Sequence, residues 1–226
     1  MKSWFFALPL ALLLILPVNS QEIITADRFL QMVSEHYATI RDYEANIVIQ
    51  SGNTVMPGTI SHISPSLLRI DFTQPANQVI LFNGDTLTVF LPDLRVVLNQ
   101  NVAQNRNLAA ANMATAEGLN LLRRNYLPTF VTGPEPVNLD ANSQEQVVQL
   151  RLTRRSVSEG FREIILSVNP TTNMIRRIEG TTIAGVNVRF DFTNVRVNQG
   201  IPEMRFVYTP PAGASTIHNF MFRDAN

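Results

Sequence analysis

The strongest constraint on the fold is a run of alternating residues over Ser64–Asn99, SPSLLRIDFTQPANQVILFNGDTLTVFLPDLRVVLN. Leu68, Ile70 and Phe72 alternate with charged residues, which is the period-2 pattern of a strand with one apolar and one wet face. The pair Asn83-Gly84 lies between two further apolar runs and predicts a tight hairpin turn with positive φ at both residues. The stretch therefore predicts a meander of four consecutive antiparallel strands.

Alternating runs on both sides of this meander predict further strands, about eleven in all. These runs lie at Tyr43–Gln50, Thr54–Ile63, Val147–Arg155, Phe161–Val168, Met174–Thr182, Gly185–Val197 and Met204–Tyr208. Pro57 interrupts the second of them, so an edge or a bulge is expected there. Phe220–Phe222 is a candidate for one more short strand, and whether this tail joins the sheet stays open.

Two segments have the features of helices. Thr25 is a suitable N-cap for a helix that runs to about Ile40 with an apolar stripe at helical spacing. Thr115 begins a second helical segment, rich in alanine and leucine, whose last turn carries Arg123-Arg124. A helix inserted between strands cannot join the sheet, so it must cover a face or an opening.

The predicted class is mainly β with two or three helices. A single antiparallel sheet needs its apolar face covered, and two short helices cannot fill the concavity of so large a curved sheet. Either the sheet closes on itself, or it stays open with a hydrophobic cavity beneath the helices. The residue patterns alone leave both solutions open.

The first twenty residues predict export. Lys2 precedes an apolar stretch and a small-residue cleavage region that ends near Ser20, as in a secretory signal peptide, and residues 21–226 are expected to form one domain. The chain has no cysteine, which excludes disulfides, thiolate metal sites and a cysteine nucleophile. Gln21 at the expected first mature position also offers no thiol for a lipid anchor.

Charge and motifs argue against nucleic acid, cofactor and catalysis. The 18 basic and 18 acidic residues balance, so no basic excess indicates nucleic-acid binding. No phosphate-binding glycine loop, nucleophile elbow or HExxH motif is present, and the three histidines are scattered. Asp71 and Asp191 are interpreted as solvated carboxylates on polar strand faces. We expect no enzyme, no metal site and no cofactor.

Four short motifs carry a resemblance to a known family. They read SPSLLRIDFTQP from Ser64, FNGDTL from Phe82, LPDLR from Leu91 and FVYTPPAG from Phe206. In order and spacing they resemble the outer-membrane lipoprotein carrier family LolA, with its R-P-x-x-x-R/x-W-x-x-x-x-P, S-D-G-K-T-L-W, D-P-D-x-x-Q and closing F-x-F-T-P-P-x-G runs. The resemblance covers nearly the whole mature chain.

The resemblance implies both a fold and a function. The fold would be an unclosed antiparallel half-barrel with a helical lid over an apolar cavity. The function would be that of a monomeric periplasmic carrier, which takes acylated lipoproteins from an inner-membrane ABC transporter and passes them to an outer-membrane receptor. Two alternatives remain: a related half-barrel that binds another lipid or senses lipoproteins as a regulator, and a structural envelope protein with a filled core.

The candidate acyl-binding residues are the apolar positions that alternation places on one face, together with apolar residues of the lid. They are Ile47, Ile49, Leu68, Ile70, Phe72, Leu87, Val89, Phe190 and Phe192 from strands, and Met113, Leu119 and Leu122 from the helical segment. Each of them is equally compatible with an ordinary sheet core.

One position departs from the family pattern. Where the resemblance places an arginine that hydrogen-bonds the lid and holds the empty cavity closed, this chain has Ser64 before Pro65. Serine offers one short donor and no charge. We therefore expect a weaker or displaced lid latch, with Arg69, Arg123 or Arg124 as the substitutes.

Overall fold

The computed structural model of the protein describes residues 24–101 and 113–219. The predicted signal peptide and the candidate strand at Phe220–Phe222 lie outside these residues. The described elements are two α-helices and thirteen strands. The helices are α1, Ala26–Ala38, and α2, Ala116–Asn125. The strands are β1 Asp42–Ser51, β2 Thr54–Ile63, β3 Leu67–Phe72, β4 Val79–Asn83, β5 Thr86–Leu91, β6 Val96–Asn101, β7 Tyr126–Phe130, β8 Val137–Asn138, β9 Gln146–Arg154, β10 Phe161–Val168, β11 Ile175–Thr182, β12 Asn187–Val197 and β13 Ser215–His218.

The strands form one sheet in the order β13-β6-β5-β4-β3-β2-β1-β12-β11-β10-β9-β7, and β8 pairs with β9 outside this path. Neighbouring strands are antiparallel except β13, which runs parallel to β6. Among the described strands, β13 and β7 at the two ends do not pair with each other, so the sheet is unclosed. The predicted class and the predicted meander, β3 to β6, are both confirmed.

Local sequence sets the helix starts. The Thr25 hydroxyl accepts the Arg28 N–H at 3.2 Å, and the Thr115 hydroxyl accepts the Gly118 N–H at 3.1 Å. Each of these side chains satisfies one of the N–H groups that an α-helix leaves without an intrahelical partner. Both predicted N-caps are therefore confirmed.

Two local predictions need correction. Gly84 has a φ of 100°, but Asn83 stays in β4, and its side-chain oxygen accepts the N–H groups of Asp85 at 3.1 Å and Thr86 at 2.8 Å. The turn is therefore built by a side-chain acceptor and one glycine. Pro57 lies within the continuous strand β2, opposite Val48 of β1. The pairing of β2 with β3 ends at Gly58, one residue after Pro57, so β2 is an edge only at this end and not along its length.

The helices cover one face of the sheet, here called the inner face. Leu30 and Val33 of α1 and Leu119 of α2 are fully buried in an apolar cluster with residues of β1, β3 and β9 to β12. The two helices also contact each other, where the Ser34 hydroxyl lies 3.0 Å from Asn120 Oδ1. Together α1 and α2 form the layer that separates this part of the inner face from solvent, and we call them the lid.

The opposite, outer face is crossed by the chain that follows β12. Phe206 is buried there against apolar residues of β4, β5 and β6, and Arg69 donates to the Arg205 carbonyl at 2.8 Å. The prediction of a strand at Met204–Tyr208 is wrong, because Glu203–Phe206 forms a short 3-10 helix. The chain then adds β13 to the sheet edge, so residues 215–218 of the C-terminal tail join the sheet.

A charged cluster occupies another part of the outer face, around Asp191. Its side chain is only 14% exposed and accepts from Arg177 Nε at 2.6 Å and Arg176 Nη1 at 3.4 Å. Arg189 Nε lies 2.9 Å from Asp191 Oδ2 without directing its N–H at that oxygen, so this contact is electrostatic. Arg177 also binds both carboxylate oxygens of Asp140. The interpretation of Asp191 as a solvated carboxylate is therefore wrong.

Candidate functional site: the inner face beneath the lid

Most of the candidate acyl-binding residues lie together beneath the lid. Nine of them are 0–7% exposed and belong to the single large apolar cluster. They are Ile47, Ile49, Leu68, Ile70, Phe72, Met113, Leu119, Leu122 and Phe192. Phe190 is half-buried and packs against the same cluster. The inner face beneath the lid is thus lined as the alternation predicts, and the side chains of the lid pack directly on it.

Leu87 and Val89 differ from the other candidates. Val89 pairs with Ile80, which in turn pairs with Ile70, so all three side chains share the inner face. Leu87 and Val89 are nevertheless half-buried and lie outside the large cluster, whereas Ile80 and Phe82 border it. These four residues, Ile80, Phe82, Leu87 and Val89, are called the β5 margin. Here apolar inner-face surface is partly accessible without any movement of the core.

The sequence argument missed a second group of inner-face residues. Leu150, Leu152, Ile164, Leu166 and Ile178 are 0–2% exposed in the same cluster. The period-2 alternation in β9 and β10 would have identified four of them. Leu30 of α1 is also fully buried. The apolar stripe predicted for that helix consists of Phe29, Met32, Val33, Tyr37 and Ile40 and omits Leu30, although Leu30 adjoins Phe29 and Val33 on the helix surface.

The three arginines expected to replace the latch do not join the lid to the sheet. Arg123 donates to both carboxylate oxygens of Asp27 at 2.8 and 2.7 Å, which connects α2 to α1 and holds the pKa of Asp27 below its usual value. Arg69 lies on the outer face with Asp71. Arg124 is exposed. A hydrogen bond between the lid and the sheet is made instead by Tyr37, whose hydroxyl accepts the Ile175 N–H at 3.1 Å.

Ser64 lies where the sheet meets the first turn of α2. With Pro65 it lines a small cavity that offers about 30 Å³ to the centres of water molecules. The other lining residues are Tyr37, Ile40, Tyr43, His62, Thr115, Ala116 and Glu117. Position 64 therefore faces the lid, although the residue there is small and uncharged.

His62 is the titratable histidine of this region. It is 5% exposed, its Nδ1 lies 2.8 Å from the Leu67 carbonyl, and its ring is 5.2 Å from that of Tyr43. Since a carbonyl only accepts, Nδ1 carries the proton in the neutral ring. Burial lowers the pKa of His62 below 6.5. The folded protein therefore favours the neutral imidazole.

We expect this histidine to make the protein less stable in mild acid. Because its folded-state pKa is depressed, the unfolded chain binds more protons, so its contribution is complete above about pH 6.5 and decreases as the pH falls below that value. The slope approaches about 1.4 kcal/mol per pH unit at most. Urea unfolding at pH 5, 6, 7 and 8 measures it. His62→Gln, which retains a donor for the Leu67 carbonyl, should flatten this slope; an unchanged slope would assign it to other groups.

The described residues contain no group of histidine, cysteine, aspartate and glutamate side chains that could hold a metal ion. Within the same residues, no helix combines the length and the apolar composition needed to cross a bilayer.

Comparison with known proteins gives consistent matches. Residues 48–209 match the family model described as outer membrane lipoprotein carrier protein LolA. An outer-membrane lipoprotein carrier protein of Dechloromonas aromatica is 24% identical over 160 residues, which cover 71% of this chain and 70% of that protein.

Two solved structures share the fold at low sequence identity. An uncharacterised conserved protein of Thermus thermophilus gives a TM-score of 0.56 at 10% identity, with 85% of this chain and 98% of that chain covered. A Pseudomonas aeruginosa MucA/MucB complex gives a TM-score of 0.50 at 16% identity, with 81% and 61% covered. At these identities the structural likeness concerns the fold alone.

Proposed function

The chain belongs to the family of the outer membrane lipoprotein carrier protein LolA, and on this premise we propose that it binds the acyl chains of lipoproteins on its inner face. The observation that carries the proposal is the lid. Two helices cover an apolar sheet face that continues, at the β5 margin, into partly accessible apolar surface. An acyl chain that enters at this margin would replace lid side chains such as Leu30 and Leu119 on the inner face.

The energetics of this exchange suit a carrier. Burial of an acyl chain is favourable by about 0.8 kcal/mol per CH₂ group. The same event removes apolar lid side chains from the inner face, which costs a comparable amount per unit of area. Because gain and cost oppose each other, loading and release can both proceed without a chemical step on the carrier. We therefore propose a carrier and not a catalyst.

The proposal extends to partners and location. The protein would work in the periplasm, where it receives lipoproteins from an inner-membrane ABC transporter and delivers them to an outer-membrane receptor. The transporter would supply the energy through ATP hydrolysis, because the sequence contains no phosphate-binding loop. Export depends on the predicted signal peptide at residues 1–20.

A second candidate function is that of a regulator which binds a protein partner. The fold is shared with a Pseudomonas aeruginosa MucA/MucB complex, so a sheet of this fold is compatible with binding a protein partner. A regulator would bind its partner with the lid closed, whereas a carrier would form a 1:1 complex with an acylated lipoprotein.

Purification of the full chain from the periplasm of its native host, followed by mass spectrometry, tests the proposal. Triacylated lipoproteins in near-stoichiometric amount are expected. A single non-acylated protein partner would instead favour the regulator. A protein that carries no cargo and also excludes apolar dyes would favour a structural role with a filled core.

We expect Val89→Arg to remove this cargo. Val89 lies half-buried in the β5 margin, so a guanidinium there can reach water in the unloaded protein but would have to be desolvated against an acyl chain. The affinity for a fluorescent triacylated peptide should fall roughly tenfold or more. Val55→Arg is the matched control, because Val55 is 48% exposed on the outer face. Equal losses in both variants would contradict binding at the margin.

A further inference from the structure

Tyr43 presents an unusual buried hydroxyl beneath the lid. The residue is 2% exposed, and its Oη has no hydrogen-bond partner among the described residues. Its neighbour Tyr37 is also buried but accepts an N–H from β11. Because nearly all buried polar atoms in proteins are hydrogen-bonded, a buried hydroxyl without a partner indicates a bound group that completes it.

The cavity next to Tyr43 has room for such a group, because it offers about 30 Å³ to the centres of water molecules and about 10–15 Å³ is enough for one. Water is retained at such a place when two to four polar groups surround it. Tyr43, His62 and Ser64 line the cavity from the sheet side, and residues 115–117 line it from α2. Polar groups of both sides therefore line a space that can hold water, and the space opens to solvent where Ser64, Pro65 and Glu117 are exposed.

The first turn of α2 supplies donors on the other side of this cavity. The Thr115 side chain caps the Gly118 N–H, and Ala116 and Glu117, which line the cavity, occupy the first two positions of the helix. The N–H groups at these positions have no intrahelical acceptor, and the helix dipole places partial positive charge there. A water oxygen accepts from such N–H groups and is stabilised by that charge.

We propose that one water molecule in this cavity bridges the Tyr43 hydroxyl and the first-turn N–H groups of α2, and so holds the lid against the sheet. Ser64 leaves room for this water, whereas a long side chain at position 64 would enter the cavity. The role as a lid latch rests on the proposed function, because lid opening matters only if a ligand is carried. The bridging water itself does not depend on that function.

Tyr43→Phe tests the bridge through the direction of its effect. If water bridges the two sides, loss of the hydroxyl removes one of the hydrogen bonds that hold this water. Amide hydrogen exchange in the first turn of α2 should then become roughly three- to tenfold faster, which corresponds to the loss of one net hydrogen bond. If the hydroxyl has no partner, its removal relieves an unfavourable buried group, and exchange is unchanged or slower. That second result would overturn the proposal.

Tyr126→Phe is the matched control, since it removes a hydroxyl that donates to the Phe161 carbonyl at the opposite end of α2. It should leave exchange in the first turn unchanged, and equal acceleration in both variants would overturn the proposal. A high-resolution crystal structure of the wild-type protein should show an ordered oxygen within about 3.2 Å of Tyr43 Oη and of a first-turn nitrogen. A map of that quality without this oxygen would also overturn the proposal. Neither hydrogen exchange nor the crystal structure requires a bound lipoprotein. Both therefore test the bridging water even if the protein turns out not to bind lipoproteins.

Discussion

A cross-link between positions 64 and 117 should abolish uptake of an acylated peptide, and reduction of the cross-link should restore it. Ser64 belongs to the sheet side and Glu117 to the lid, and both line the small cavity at their boundary. The sequence has no cysteine, so a Ser64→Cys/Glu117→Cys variant contains a single possible disulfide. If the lid must leave the inner face for acyl chains to bind, the oxidised protein will take up no fluorescent triacylated peptide during an assay in which the reduced protein saturates.

The control joins the two lid helices to each other instead of to the sheet. Ser34→Cys/Asn120→Cys replaces two residues whose side-chain oxygens lie 3.0 Å apart. Mass spectrometry establishes that each bond has formed, and a short bismaleimide serves where the thiols lie too far apart for a disulfide. Uptake should persist in this control if the lid moves as one layer. Undiminished uptake in the oxidised 64–117 variant would contradict lid opening at α2 altogether.

Local sequence was sufficient for much of the fold. The alternation of Leu68, Ile70 and Phe72 identifies their shared face because side chains alternate along a strand irrespective of its partners. Thr25 and Thr115 locate the helix starts for the same reason, since a cap acts within three residues. These features depend on neighbours in the chain, and the structure confirms them.

Features that depend on distant partners could not be predicted in this way. The alternation of Met204–Tyr208 resembles a strand, but Phe206 is buried on the outer face beside Arg69, more than 130 residues away in the sequence. The parallel addition of β13 to β6 likewise leaves no local trace.

For the candidate site, alternation identified the inner face but not what covers it. Leu68 and Ile70 carry the same pattern whether an acyl chain or Leu30 of α1 lies upon them. Ser64 shows the same limit, because a sequence comparison can report a missing arginine but cannot reveal the cavity and the buried Tyr43 hydroxyl beside it.

The largest loss of stability from a single polar substitution is expected for Asp191→Ala. Its carboxylate is 14% exposed and lies within 2.6–3.4 Å of nitrogen atoms of Arg176, Arg177 and Arg189. Removal of the carboxylate takes away the counter-charge that these three guanidinium groups share, and leaves Arg176 with Glu145 and Arg177 with Asp140. Breaking a fully buried ion pair costs about 3–5 kcal/mol, which is the upper bound here because these second partners remain. Urea unfolding at pH 7 measures the change in the free energy of unfolding.

Asp140→Ala separates the effect of burial from that of charge. Asp140 also pairs with Arg177, at 2.8 Å, but its side chain is 55% exposed, so water can solvate the guanidinium edge that it leaves. Exposed pairs contribute at most about 1 kcal/mol, and we expect a loss of that size. If the two substitutions cost the same, the arginine cluster is solvated around Asp191 as well, and its carboxylate is not the centre that holds β11 and β12 together on the outer face.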